Sequence, residues 1–267
     1  MNTVRSKDGT TIAFDRSGSG PALILVAGAM STRRSAADVA SRLASSFTVY
    51  GYDRRGRGDS GDTMPYAVER EIEDLAALIA EAGGSAFVMG KSSGAILALD
   101  AAAHGLAITK LAVYEPPLIV DKDGPLLPAG FADHLAQLAS SGHGGDAVQA
   151  FMTTALGMPA EVVSAMRQSS DWAGLEALAP TLAYDMTISD PVETGSREPL
   201  ARWASVMLPV LVMDGGASPA WMRNGARALA ETLPNSTHLT LENQTHAADP
   251  AMLAGALEEF FSGVRVA

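Results

Sequence analysis

Two hydrophobic periods alternate along the chain. Residues 3–16 switch between polar and apolar positions around Asp8-Gly9 and predict a β-hairpin, with strands over 3–7 and 10–16. Residues 22–26 form a short continuous apolar run, the pattern of a strand covered on both faces. Helical spacing follows over 35–45, then a strand over 47–52. Residues 65–82 place Ile72, Leu75 and Ile79 on one helical face, with Gly83-Gly84 as the stop. A strand over 86–89 leads into an Ala/Leu-rich helix ending at His104-Gly105. A further strand over 110–114 runs into Glu115-Pro116-Pro117.

The alternation stops there. Residues 118–206 show no clear strand and predict helices near 129–140, 145–156, 160–169, 171–183 and 197–205. The strand–helix rhythm resumes with a strand over 209–213, a helix over 219–232 and a strand over 238–241. A last helix starts at Asp249-Pro250, with proline at the favoured first position, and runs to about 261. Strands alternating with helices predict an α/β fold with a mostly parallel central sheet. The expected organisation is a core of residues 1–117 and 207–267 carrying a helical lid, 118–206, above the carboxyl ends of the strands.

Composition narrows the class. The 267 residues include 19 Lys and Arg against 30 Asp and Glu, a formal charge of −11, so phosphate-bearing partners would be repelled. Neither nucleic acid nor an anionic membrane is an expected partner. There is no cysteine, which removes disulfides and thiolate metal sites. No apolar run approaches a membrane span, and the first residues lack the apolar core of a signal peptide. The expectation is a soluble, cytoplasmic protein.

The chemistry centres on Gly90-Lys91-Ser92-Ser93-Gly94, which fits G-x-S-x-G between a predicted strand and a predicted helix. In that setting Ser92 sits on a sharp turn at a strand end, and the two glycines avoid side chains where the turn is tightest. A serine hydroxyl needs a base. Of the five histidines, His246 follows the last strand and precedes the last helix, at the same sheet edge as Ser92. The same stretch also resembles the end of a phosphate-binding loop, but that spelling needs a glycine at position 85, which is Ser85, and a loop where 86–89 reads as strand.

Taken together, the hairpin, Leu25-Val26-Ala27-Gly28-Ala29-Met30, the Asp53-to-Ser60 loop, the Ser92 elbow and the terminal strand–histidine–helix resemble the α/β-hydrolase superfamily. The resemblance implies a nucleophile–acid–base order along the chain. The usual acid position after the next-to-last strand is Ser218 here, with Asp214 four residues earlier. Glu115, after the strand that follows the nucleophile helix, is the other placement. The Ser-Ser-Gly-Ala elbow, the Glu115-Pro116 pair and Ala217-Ser218-Pro219 are similar to zearalenone-type lactone hydrolases at those short stretches, whose acid is a glutamate at this place. Glu115 is therefore taken as the acid, with Asp214 as the alternative.

The resemblance further implies an oxyanion hole from the N–H of Ser93 and of Ala29. Asp53 to Ser60 is expected to shape its loop. Met30 and the methionines of the lid, with Trp172, suggest an apolar substrate pocket: Met30, Met152, Met158, Trp172 and Met186. The implied activity is hydrolysis of a carboxylic ester or lactone through an acyl-enzyme on Ser92, without cofactor or metal. The expected partner is a small apolar ester or lactone, and a homodimer is compatible with the chain. A non-catalytic or ligand-sensing member of the fold, or perhydrolase or C–C hydrolase chemistry on the same residues, are the alternative readings.

Overall fold

The computed structural model describes residues 1–122 and 124–263. An eight-stranded sheet runs through the centre. Its strands are β1 (Asn2–Arg5), β2 (Thr11–Ser17), β3 (Ala22–Val26), β4 (Thr48–Tyr52), β5 (Ala86–Lys91), β6 (Ile108–Tyr114), β7 (Val210–Gly215) and β8 (Ser236–Leu241). The spatial order is β1-β2-β4-β3-β5-β6-β7-β8. The β1–β2 and β2–β4 pairs are antiparallel and the rest are parallel. The helices are α1 (Ala37–Leu43), α2 (Val68–Glu81), α3 (Ser93–Ala103), α4 (Phe131–Ser140), α5 (Gly144–Ala150), α6 (Ala160–Arg167), α7 (Trp172–Glu176), α8 (Leu182–Ser189), α9 (Ala220–Thr232) and α10 (Pro250–Ser262).

The apolar run of β3 reads as it does because both its faces are covered. Ile24 and Val26 pack into one cluster with α2 and α3, while Leu23 and Leu25 pack into another with α1 and α10. Each fully buried side chain of this kind contributes about 1.5–3 kcal/mol. Residues Ser93 to Ala101 of α3 are buried all round. That is why the helix is Ala/Leu-rich without a polar face. Parallel strands β3, β5, β6, β7 and β8 all end on one edge, so the loops after them converge there.

The helices between β6 and β7 carry a third apolar cluster of their own. Two predicted helices take a different form. The segment expected over 145–156 is α-helical only to Ala150 and continues as a π-helical turn, Phe151–Ala155, where Leu156 N–H bonds back to Phe151 O. The segment expected over 171–183 splits into α7, a 3₁₀ turn at Ala179–Thr181 and α8. Pro180 cannot donate to a continuous ladder, and α8 then runs on until Asp190-Pro191. The stretch near 197–205 is a 3₁₀ run, Glu198–Trp203, with Pro199 in its first turn. An isolated bridge joins Ile119 to Glu193, so the segment predicted to lack strands has one point of strand-like pairing.

Candidate active site

Among the described residues, four non-glycine positions have positive φ: Met30 (54°), Ser92 (56°), Glu115 (46°) and Asn243 (59°). They follow β3, β5, β6 and β8 on the convergent edge. Backbone strain of this kind costs on the order of 1–3 kcal/mol per residue and persists only where its surroundings enforce it. At Ser92 the enforcement is visible. Its N–H bonds to Tyr114 O at 3.0 Å, and α3 begins at the next residue. A Cβ on Gly90 would lie 2.5 Å from Gly94 O, and one on Gly94 would lie 2.5 Å from Val26 O and Ala27 O. Gly28 approaches just as closely, since a Cβ there would sit 2.7 Å from Ser92 Cβ. Three glycines therefore press the serine turn between β3 and α3.

Because β6 and β7 are neighbours in register from Leu111–Val210 to Tyr114–Met213, Glu115 and Asp214 emerge side by side. They diverge from there. Glu115 is fully buried. Its Oε1 accepts from Gly215 N–H at 2.8 Å and its Oε2 faces His246 Nδ1 at 2.8 Å. Burial pushes this carboxyl up, but the bond to His246, the nearby Ser218 hydroxyl and the bond from Gly215 N–H outweigh it and hold it below its ordinary value. Asp214 instead faces His238 Nε2 on β8 at 2.8 Å. The structure thus brings His246 to Glu115 and separates it from Asp214. Ser218, at the family's usual acid position, sits beside the Glu115 carboxylate.

The His246 loop is held in three places. Tyr114 donates its hydroxyl to Thr245 O at 2.6 Å, Ala217 N–H bonds to Gln244 O at 2.8 Å, and Asp249 N–H bonds to Gln244 Oε1 at 2.8 Å. Asp249 then caps α10 by accepting from Ala251 N–H. An ionised Glu115 only accepts, so Nδ1 carries the proton it donates and Nε2 is left as the basic nitrogen.

Ser92 and His246 line one cavity of about 720 Å³. Its other walls include Pro117, Leu156, Trp221, Met222 and Ala247. Leu156 reaches it from just beyond the π-helical turn, a recurrent use of such turns. The structure places the expected pocket residues elsewhere. Met152, Trp172 and Met186 are buried in the apolar cluster of the inter-strand helices, and Met30 and Met158 pack against that cluster. None of the five is among the cavity's described lining residues. The helical elements that carry Met152, Trp172 and Met186 need an apolar face to pack on one another, and that need consumes these three. Trp221 and Met222 were missed. They open α9 directly after the Gly215-to-Ser218 loop, a position at the strand edge that could have flagged them.

The expected oxyanion donors sit where the backbone leaves N–H groups outside any ladder. The first bond of the elbow helix is Ala95 N–H to Ser92 O, so Ser93 N–H precedes it. Ala29 follows Gly28, the residue packed against Ser92. The Asp53-to-Ser60 loop does more than turn. Arg54, Arg55 and Arg57 are all buried, and Arg54 and Arg57 converge on Asp185 of α8. Asp185 also accepts from the Ser93 hydroxyl at 2.7 Å. No three His, Cys, Asp or Glu side chains group as a metal site among the described residues, and no described helix is long and apolar enough to cross a membrane.

The sequence profile described as the alpha/beta hydrolase family matches residues 23–253. An alpha/beta hydrolase from Sphaerobacter thermophilus, solved by crystallography, is 56% identical over 97% of this chain and 100% of that one, with a TM-score of 0.91. N-formylmaleamate deformylase of Pseudomonas putida is 35% identical over 148 residues, 51% of this chain and 53% of that protein. The aligned region thus spans about half the length of this curated relative. The enol-lactonase from Burkholderia xenovorans is 20% identical over 98% of each chain with a TM-score of 0.68, a likeness of fold. With the profile spanning most of the chain, from β3 into α10, this protein belongs to the alpha/beta hydrolase family.

Proposed function

We propose that this protein is a serine hydrolase that cleaves a carboxylic ester or lactone through an acyl-enzyme on Ser92. The observation that carries the reading is the Glu115–His246 pair at the wall of the cavity that also exposes Ser92. In this mechanism His246 Nε2 takes the Ser92 proton as Oγ attacks the substrate carbonyl. Ser93 N–H and Ala29 N–H receive the oxyanion, each worth about 3 kcal/mol in the transition state. The imidazolium, stabilised by Glu115, gives its proton to the leaving alkoxide. A water activated by His246 then hydrolyses the acyl-enzyme and frees Ser92. The elements of 118–206 act as a lid over the core formed by 1–117 and 207–267.

An uncharged, apolar substrate suits the walls. Among the described lining residues His246 is the one titratable side chain, and Trp221, Met222 and Leu156 offer apolar surface. The described walls offer a free carboxylate no lysine or arginine. The test is turnover of p-nitrophenyl butyrate by the wild type and by Ser92→Ala. The reading expects activity in the first and loss of roughly 10⁴-fold or more in the second. Equal turnover in both would overturn it.

A further inference from the structure

We propose that Asp185 and Arg57 are positioning residues that set the two oxyanion donors, so that α8 of the inter-strand helices helps to build the catalytic site. The proposal rests on the reading of Ser92 as nucleophile. Its basis is one buried carboxylate with two oxygens and two destinations. Asp185 Oδ1 accepts from Ser93 Oγ at 2.7 Å and from Arg54 at 2.7 Å. Asp185 Oδ2 accepts from Arg57 at 2.7 Å. The other terminal nitrogen of Arg57 donates to Gly28 O at 2.6 Å. Asp185, Arg54, Arg57 and Ser93 are all at least 97% buried.

Each destination is one bond from a donor. The Gly28 carbonyl and the Ala29 N–H belong to the same planar trans peptide and point in opposite directions. Holding the carbonyl therefore fixes the direction of the N–H. Arg54 adds a longer contact to Ala27 O at 3.4 Å on the same loop. Met30, directly after the donor, is held at positive φ. On the other side, the Ser93 hydroxyl ties the first residue of α3 to Asp185, which restrains the Ser93 peptide N–H.

A purely structural ion cluster would look different. If neutralising Asp185 were its whole task, Arg57 would be expected to offer its fork to both carboxylate oxygens. It spans carboxylate and carbonyl instead, and its Nε is buried without a partner among the described residues. The neighbouring Arg55 does show the fork: Nε and NH2 bond the two oxygens of Asp74 at 2.8 and 2.7 Å, and its other contacts go to Asp8 and Arg70 O, none of them to residues 27–30 among the described residues. Asp185 stays charged because Arg57 and Arg54 beside it outweigh the burial that opposes its ionisation. In such a desolvated setting charge-assisted bonds are strong and directional.

The experiment compares Ser93→Ala, Arg57→Lys and the control Arg55→Lys. Each keeps the formal charge balance of the cluster. The readouts are kcat and KM for p-nitrophenyl butyrate, the inhibition constant of an alkyl boronic acid that forms a tetrahedral adduct with the serine, and the thermal midpoint. The proposal expects kcat to fall roughly 10- to 100-fold in Arg57→Lys and about 10-fold in Ser93→Ala, less than the ~10²–10³ lost on deleting a donor outright. KM stays within about 3-fold, and boronate binding weakens in step with kcat. Arg55→Lys lowers the thermal midpoint with kcat retained. If Arg57→Lys fails to fold, Ser93→Ala decides. Folded variants with wild-type kcat, or losses in KM or thermal midpoint alone, overturn the proposal. An active Ser92→Ala would instead overturn the reading beneath it.

Discussion

Replacing Glu115 by glutamine tests the acid assignment with minimal change of shape. Two donors face this buried carboxylate, Gly215 N–H and His246 Nδ1, each at 2.8 Å. A glutamine supplies one oxygen and one NH₂. With its oxygen towards Gly215, the NH₂ faces Nδ1, which must then accept, and the proton moves to Nε2, where the base is needed. With the amide reversed, two donors meet at Gly215 and one buried N–H goes unpaired, at a cost of about 1–3 kcal/mol. That alone disfavours the productive tautomer by a factor of roughly 5–150. Loss of imidazolium stabilisation adds the remainder, for a total near 10⁴ in kcat. Asp214→Asn is the counterpart. Its partner His238 is about a quarter exposed, so water can replace the contact, and kcat should stay within about 3-fold. The assay is kcat/KM on p-nitrophenyl butyrate, with thermal midpoints to show that both variants fold. A Glu115→Gln enzyme retaining a tenth of its activity, or an inactive Asp214→Asn, would refute the assignment.

Other outcomes follow from the same geometry. Gly28→Ala puts a Cβ 2.7 Å from Ser92 Cβ and 3.0 Å from Lys91 O, so the elbow must shift; kcat should fall more than about 100-fold, and near-normal kcat would contradict the close packing. Trp221→Ala should raise KM for aryl esters at least about 5-fold with little change in thermal midpoint, because the residue walls the cavity; an unchanged KM across ester sizes would remove it from the binding surface. Asp8 should contribute to acid sensitivity. Its carboxyl is lowered to about 2, since bonds from Thr10 and Arg55 outweigh its desolvation. A depressed folded value contributes stability above the unfolded value near 4 and loses it as pH falls from about 4 to 2. Unfolding free energies from urea titrations at pH 7 and pH 3 should therefore differ less in Asp8→Asn than in the wild type, by about 1 kcal/mol; identical pH slopes would refute this.

Much of the frame was legible in the sequence because period and punctuation are local. The run 22–26, the Ser92 elbow and the Asp249-Pro250 cap each announce themselves within a few residues. The order of the parallel strands then brings their loops to one edge without further information. Helix continuity was less readable where proline and π-turn geometry intervene, as in 145–156 and 171–183. The cavity wall is less legible, because methionine content says only that a surface is apolar, not what covers it. Met152 and Met186 answer the packing needs of their own helices, while Trp221 sits at a helix start that has no periodic signal. Asp185 was not legible at all. Its partner Arg54 is 131 residues away, and only the tertiary fold brings α8 down onto the Arg54–Arg57 loop. The choice between Glu115 and Asp214 turned on adjacent strand ends, where one rotation of the backbone decides which carboxylate faces His246.

The proposed mechanism requires that Ser92 becomes acylated. The direct measurement is rapid quenching of wild-type enzyme with p-nitrophenyl butyrate in acid, followed by peptide mass spectrometry. The account predicts a butyryl group on the peptide carrying Ser92, absent in Ser92→Ala, with p-nitrophenol released in a burst equal to the enzyme concentration where deacylation limits turnover. Turnover by Ser92→Ala at the wild-type rate, or an acyl group carried on another residue, would contradict it.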